Sequence, residues 1–145
     1  MLNGNGKSRD DIEAAAAAGC MINADSVFDL NNILQIAHHM SQTSRLSQPV
    51  KLLLRLNPDI DPQVHPYIAT GNAQSKFGIS KEQLPCVLDI LRAKKSVVHL
   101  EGLHCHLGST IKTVTIFHDA MVYMLHTLDA LRAQGVAPRV INPKL

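Results

Sequence analysis

The sequence predicts an α/β fold made of repeated βα units. Short apolar runs alternate with longer stretches of helical periodicity, a pattern that implies parallel strands joined by helical crossovers. The run Val50–Leu56 is apolar at nearly every position, as in a strand covered on both faces. A second run, Val97–Leu107, repeats the theme. About four such units can be counted. They leave two architectures open, an open doubly wound sheet and a (β/α)8 barrel.

The elements follow in order. Asp10–Ala18 predicts a helix, with acidic residues in its first turn, five alanines and a stop at Gly19. Met21–Ala24 predicts a short strand. Asp25 and Ser26 offer caps for a helix from Val27 to about His39, with Phe28, Leu30, Ile33, Leu34 and Ala37 at apolar helical spacing. Ser41–Pro49 is polar and predicts a loop. Val50–Leu56 is the clearest strand, ended by Asn57-Pro58-Asp59. Residues 60–77 predict a long loop of the kind that often carries function. Glu82–Lys94 predicts a helix with Leu84, Val87, Leu88 and Leu91 on one side. After the strand at Val97–Leu107, Phe117–Gln134 predicts a helix stopped by Gly135 and Pro138. Val140 and Ile141 begin one more strand.

The length of 145 residues suits one ordinary domain. Hydrophobic residues make up 46% and charged residues 18%, enough apolar surface for a core. Aromatics are only 3%, so Leu, Ile, Val, Ala and Met must fill that core. A formal net charge of +2, with no basic run, argues against a nucleic-acid partner. Cys20, Cys86 and Cys105 are odd in number and far apart, against a disulfide framework or a Cys-based zinc site. No apolar stretch approaches the ~20 residues of a membrane span, and the first residues are too polar for a signal peptide.

Several segments could carry chemistry. Gly6-Lys7-Ser8 resembles the end of a nucleotide P-loop. That motif needs a glycine five residues earlier, after a strand; the position is Met1, and no strand is predicted before it. A turn leaving a strand end is the better reading. The richest segment is Gly102-Leu103-His104-Cys105-His106-Leu107-Gly108-Ser109. Residues two apart on a strand share a side, so His104 and His106 should face one way and Cys105 the other. If Gly108-Ser109 ends the strand, the histidines lie where α/β proteins bind ligands. They could ligate a metal, or stack on or work beside a cofactor. The plainer alternative is one buried, hydrogen-bonded histidine and one packing histidine. Lys76, in the glycine-flanked segment 71–78, could bind an anion or simply sit in a turn. Arg55, a cation in a buried strand run, must be paired or functional. His38, His39, His118 and His126 fall in helical patterns and belong at the surface or core edge.

The segments Asn3–Ser8, Asn23–Leu30, Leu54–Pro62, His65–Gly71, Ser75–Gly78 and Gly102–Ser109, taken in order, resemble the diaminopimelate decarboxylases. Their wording is nearest the plant and algal type. These are fold type III pyridoxal-phosphate enzymes with an alanine racemase-like barrel. The resemblance implies a partial (β/α)8 barrel over residues 1–145, of about four βα units, without the family's C-terminal β domain. It implies pyridoxal 5′-phosphate as cofactor and decarboxylation of meso-diaminopimelate to L-lysine. In the full enzyme it implies a homodimer, and in plants a plastid location. Carried over residue by residue, His106 would stack on the cofactor ring and Ser109 would bind its phosphate. Arg55, His104 and Lys76 match positions near the site.

The resemblance also implies that the Schiff-base lysine lies upstream of Asn3, and that Lys7 does not take that role. The glycine-rich phosphate loop should begin near Asn142. The expectation is a middle segment of such an enzyme, without decarboxylase activity or a covalent cofactor when isolated; whether the chain is itself an enzyme stays open. Four units cannot close a barrel of about 250 residues. Two other readings remain: a metal-dependent barrel hydrolase using His104 and His106, and a non-catalytic interaction fragment.

Overall fold

The computed structural model describes residues 1–59, 77–108 and 114–144. The elements run α1 (Arg9–Ala17), β1 (Ile22–Ala24), α2 (Val27–Gln42), β2 (Val50–Leu56), α3 (Leu84–Ala93), β3 (Val98–His106), α4 (Val114–Ala133) and β4 (Val140–Lys144). The four strands are parallel and lie side by side in chain order, β1-β2-β3-β4. That order decides between the two predicted architectures. A doubly wound sheet reverses its strand order at a switch point. Uninterrupted order with right-handed crossovers puts every connecting helix on one face, as in a barrel wall.

The local reasons are legible residue by residue. Ser8 caps α1: its hydroxyl accepts from the Asp11 N–H, while the Asp11 carboxylate accepts from the Ser8 N–H, a reciprocal capping box. The helix closes when Gly19 and Cys20 donate back to the Ala16 and Ala15 carbonyls. In α2, Ser26 is the cap, its hydroxyl accepting from the Asp29 N–H. The helix runs three residues beyond the predicted end. One predicted core residue is overturned. Phe28 is 83% exposed, because it lies on the face of α2 opposite Leu30, Ile33, Leu34, Ala37 and Met40, all buried. At 100° per residue, Phe28 points about half a turn away from that stripe.

Most boundaries shift by one to three residues. α3 starts at Leu84, since residues 81–83 form a preceding turn. α4 begins at Val114, three residues before its predicted start. No named strand precedes Gly6-Lys7-Ser8 among the described residues; one isolated bridge does. Leu2 bridges to Ile22, donating to the Met21 carbonyl and accepting from the Asn23 N–H. The long loop predicted over 60–77 lies outside the described residues except for Phe77.

The sheet face toward the helices is apolar. Ile22, Ala24, Leu52, Leu54, Leu56, Leu103 and Cys105 join helix residues such as Ile33, Val87 and Met124 in one buried cluster. The opposite face is set by a bulge. Leu52 pairs with Leu100, but Leu53 pairs with Gly102, so Glu101 is an extra residue in β3. Beyond it Arg55 stands beside His104, and His104 beside Asn142. Gly102 is required there by close approach. A Cβ on it would strike the Val140 carbonyl oxygen and sit 2.7 Å from Val140 Cβ and 2.8 Å from Leu53 Cδ2.

Candidate functional site

The carboxyl ends of the strands carry a cluster of polar side chains. Asn23 is on β1 and Asp25 just beyond it; Arg55 is on β2, and His104 and His106 on β3. Asn23, Asp25, Arg55 and His104 are all buried. Such groups are tolerated away from water only when paired. The pairing centres on Asp25. Its Oδ1 accepts from Arg55 Nη1 at 3.1 Å and from Asn23 Nδ2 at 3.1 Å. Its Oδ2 accepts from Lys7 Nζ at 3.2 Å. Lys7 also meets Asp29 Oδ2 at 2.7 Å and the Gly4 carbonyl at 2.7 Å. Gly4 and Gly6, at φ of 105° and 72°, turn the chain so that this lysine folds inward. A cavity of about 200 Å³ opens beside it, lined by Asn5, Lys7, Asp25, Asp29 and Phe77 among others.

Asn23 extends the network. Its Nδ2 donates to Asn3 Oδ1 at 2.9 Å and lies 3.3 Å from His104 Nδ1. The Phe77 ring packs 5.4 Å from the Arg55 guanidinium carbon, a cation–π contact. Among the described residues, three buried atoms in this cluster have no hydrogen-bond partner: Asn23 Oδ1, Arg55 Nη2 and His104 Nε2.

Burial, and next the positive charge of Arg55, push His104 down to about 4, so the ring is neutral at ordinary pH. Burial also lowers His106, opposed by a hydrogen bond from its Nδ1 to the Lys144 carbonyl at 3.2 Å. Cys105 points the other way, into an apolar cavity of about 270 Å³ with Leu107, Phe117 and Met121. Burial raises its thiol to about 11.

The predicted geometry of β3 is therefore present: His104 and His106 on one side and Cys105 on the other. Arg55 proves paired, through Nη1, while its Nη2 lacks a partner. Ser109 and Lys76 lie outside the described residues. His38, His39, His118 and His126 are exposed on α2 and α4. Sequence reasoning assigned no role to Lys7, Asn23 or Asp29, and took Asp25 for a helix cap. Ser26 alone takes the capping role; the Asp25 side chain turns to the network. The spacing of Asn23 and Asp25, two residues apart at the end of β1, was the available signal.

Among the described residues, no group of three or more His, Cys, Asp or Glu is placed to hold a metal ion. The hydrolase reading gains no support. Nor is any helix among them long and apolar enough to cross a membrane.

Comparison with known proteins adds an independent line. The family model for the pyridoxal-dependent decarboxylase, pyridoxal binding domain, matches residues 1–142. A rice protein (Oryza sativa subsp. japonica) named probable diaminopimelate decarboxylase, chloroplastic, is 47% identical over 142 residues, 98% of this chain and 28% of that one. The diaminopimelate decarboxylase of Archaeoglobus fulgidus is 38% identical over 136 residues, 94% of this chain and 31% of that one. The crystal structure of the Helicobacter pylori diaminopimelate decarboxylase complexed with L-lysine matches with a TM-score of 0.80 at 27% identity. It covers 94% of this chain and 33% of that one. The chain thus spans no more than about a third of the length of these relatives.

Proposed function

Since the chain belongs to the pyridoxal-dependent decarboxylases, through their pyridoxal-binding domain with its alanine racemase-like barrel wall, we propose that its strand ends form part of a pyridoxal-phosphate site in a diaminopimelate decarboxylase. The observation that carries this reading is the polar cluster at the carboxyl ends of β1 to β3. Pyridoxal phosphate is the family's cofactor, and it presents anionic oxygens and a flat ring. The residues present fit such a group. Arg55 Nη2 and His104 Nε2 are buried atoms without partners, and the half-buried His106 ring offers a flat face.

In this reading His106 packs on the cofactor ring, held in orientation by its bond to the Lys144 carbonyl. Arg55, anchored at Nη1 by Asp25, would hold a positive charge beside the cofactor. His104 stays neutral and adds no competing cation. On the family resemblance Ser109 is assigned the phosphate and Lys76 a position near the site. When bound, pyridoxal phosphate takes up the electron pair left on the substrate carbon as carbon dioxide departs. The substrate would be meso-diaminopimelate and the product L-lysine, supported by the names of the relatives. A homodimer of the full-length protein belongs to the same proposal. The likeness to the rice protein supports a chloroplast location.

Titration of the chain with pyridoxal 5′-phosphate by calorimetry tests the reading. Saturable binding that weakens at least about tenfold, or about 1.4 kcal/mol, in both His106→Ala and Arg55→Met is expected. No saturable binding, or equal binding in both variants, would overturn it. Borohydride treatment should leave no lysine of this chain covalently labelled.

A further inference from the structure

The cluster constrains one proton. Asn23 Nδ2 carries two hydrogens. Two oxygens, Asn3 Oδ1 at 2.9 Å and Asp25 Oδ1 at 3.1 Å, compete for them. Flipping the amide would set Asn23 Oδ1 against both of these oxygens, so its orientation is fixed. His104 Nδ1 therefore faces an NH2 group at 3.3 Å, never an acceptor. An Nδ1–H would point donor at donor; only a lone pair is compatible there. The ring proton is left to Nε2, the atom that is buried and without a partner.

We propose that Asn23 is a positioning residue that locks His104 in the Nε2–H tautomer, making it a fixed donor beside Arg55 for an acceptor oxygen of the ligand. The last clause rests on the cofactor reading above; the lock does not. The groups around His104 point the same way. Arg55 on β2, and His106 and Lys144 on β3 and β4, all disfavour a second proton on the ring. Among the described residues, Asp25, beyond β1, is the one carboxylate that favours it. Asp25 is already committed to Arg55, Lys7 and Asn23. His104 thus differs from an ordinary buried histidine, which can exchange tautomers to suit its partner.

The test is nitrogen-15 NMR of the chain labelled at histidine, with His104 assigned by the signal lost in His104→Gln. The expected spectrum shows His104 as a single Nε2–H species that is neutral at neutral pH. Replacing Asn23 by aspartate supplies an acceptor, and should transfer the ring proton to Nδ1. Asn3→Ala frees one of the two hydrogens and tests the lock more gently. An Nδ1–H or charged His104 in the unaltered chain at neutral pH would overturn the proposal, whatever the variants do. Pyridoxal phosphate added to the same sample separates the two readings. An Nε2–H ring without binding leaves the lock standing and removes the cofactor reading. Binding to an Nδ1–H ring does the reverse.

Discussion

Replacing Asp25 by asparagine keeps the shape of the side chain and removes one charge from a closed set of four. Lys7 and Arg55 supply two positive charges, and Asp25 and Asp29 two negative ones. The side chains of Lys7 and Asp25 are each 3% exposed, that of Arg55 7% and that of Asp29 16%. In Asp25→Asn, Lys7 keeps Asp29 at 2.7 Å and the Gly4 carbonyl. Arg55 loses its carboxylate at Nη1, and its Nη2 already lacks a partner among the described residues. Stripping the partner from a buried charge costs about 3–5 kcal/mol. For a domain of this size that is a large share of a total stability of about 5–15 kcal/mol. Asp29→Asn is the control. Asp29 is the more exposed acid, and Lys7 would keep Asp25, so a loss of about 1–2 kcal/mol is expected. Urea unfolding followed by circular dichroism measures both, with the slope unchanged between variants. A loss under about 1 kcal/mol in Asp25→Asn, or an equal loss in Asp29→Asn, would refute the reasoning that Asp25 is the hub.

Other outcomes follow from the same geometry. His104 binds its proton more weakly folded, at about 4, than unfolded, at 6.5. The unfolded chain therefore holds more protons between these values, so stability present above about pH 6.5 is lost as pH falls toward 4. The loss should reach about 3 kcal/mol, and His104→Gln should remove most of the slope in pH-dependent urea unfolding, leaving a smaller part of the same sign from His106. Gly102→Ala forces the added methyl against the Val140 backbone; exchange of the β4 amides should speed up, with a stability loss of at least about 1–3 kcal/mol. Thiol labelling at pH 8 should modify exposed Cys86 readily and leave Cys105 protected until unfolding. Ser8→Ala, which opens the capping box of α1, should cost about 1 kcal/mol in the same unfolding assay.

The apolar runs of β2 and β3 and the periodicity of the helices made the fold class legible, because burial repeats at a fixed interval. Strand order did not follow from periodicity, since an open sheet and a barrel share the same βα alternation. Phe28 was misplaced because an apolar residue near a helix start was counted without its angle. The pairing of His104 with His106 followed from strand alternation alone. The alignment of Arg55 with His104 did not, because it depends on Glu101, whose role as an unpaired residue appears only once β2 and β3 are side by side. Lys7, Asn23 and Asp29 were missed for a similar reason. Each lies far from Arg55 along the chain, and a charge network between separate elements leaves no periodic trace.

Glu101 also divides β3 into two lengths with different histories. Upstream, Val98 and Leu100 answer to the helices; downstream, His104 answers to the neighbouring strands. The extra residue works as a phase shift between them. Deleting it would leave both histidines facing as they do, whereas pairing it as an ordinary strand residue would turn them half a turn, toward the helices, while Val98 and Leu100 stayed in place. Substitutions on the upstream length can therefore alter packing without turning the histidines. On the downstream length the two alternate: His104 and His106 face the polar cluster, while Leu103 and Cys105 keep the strand on its helices.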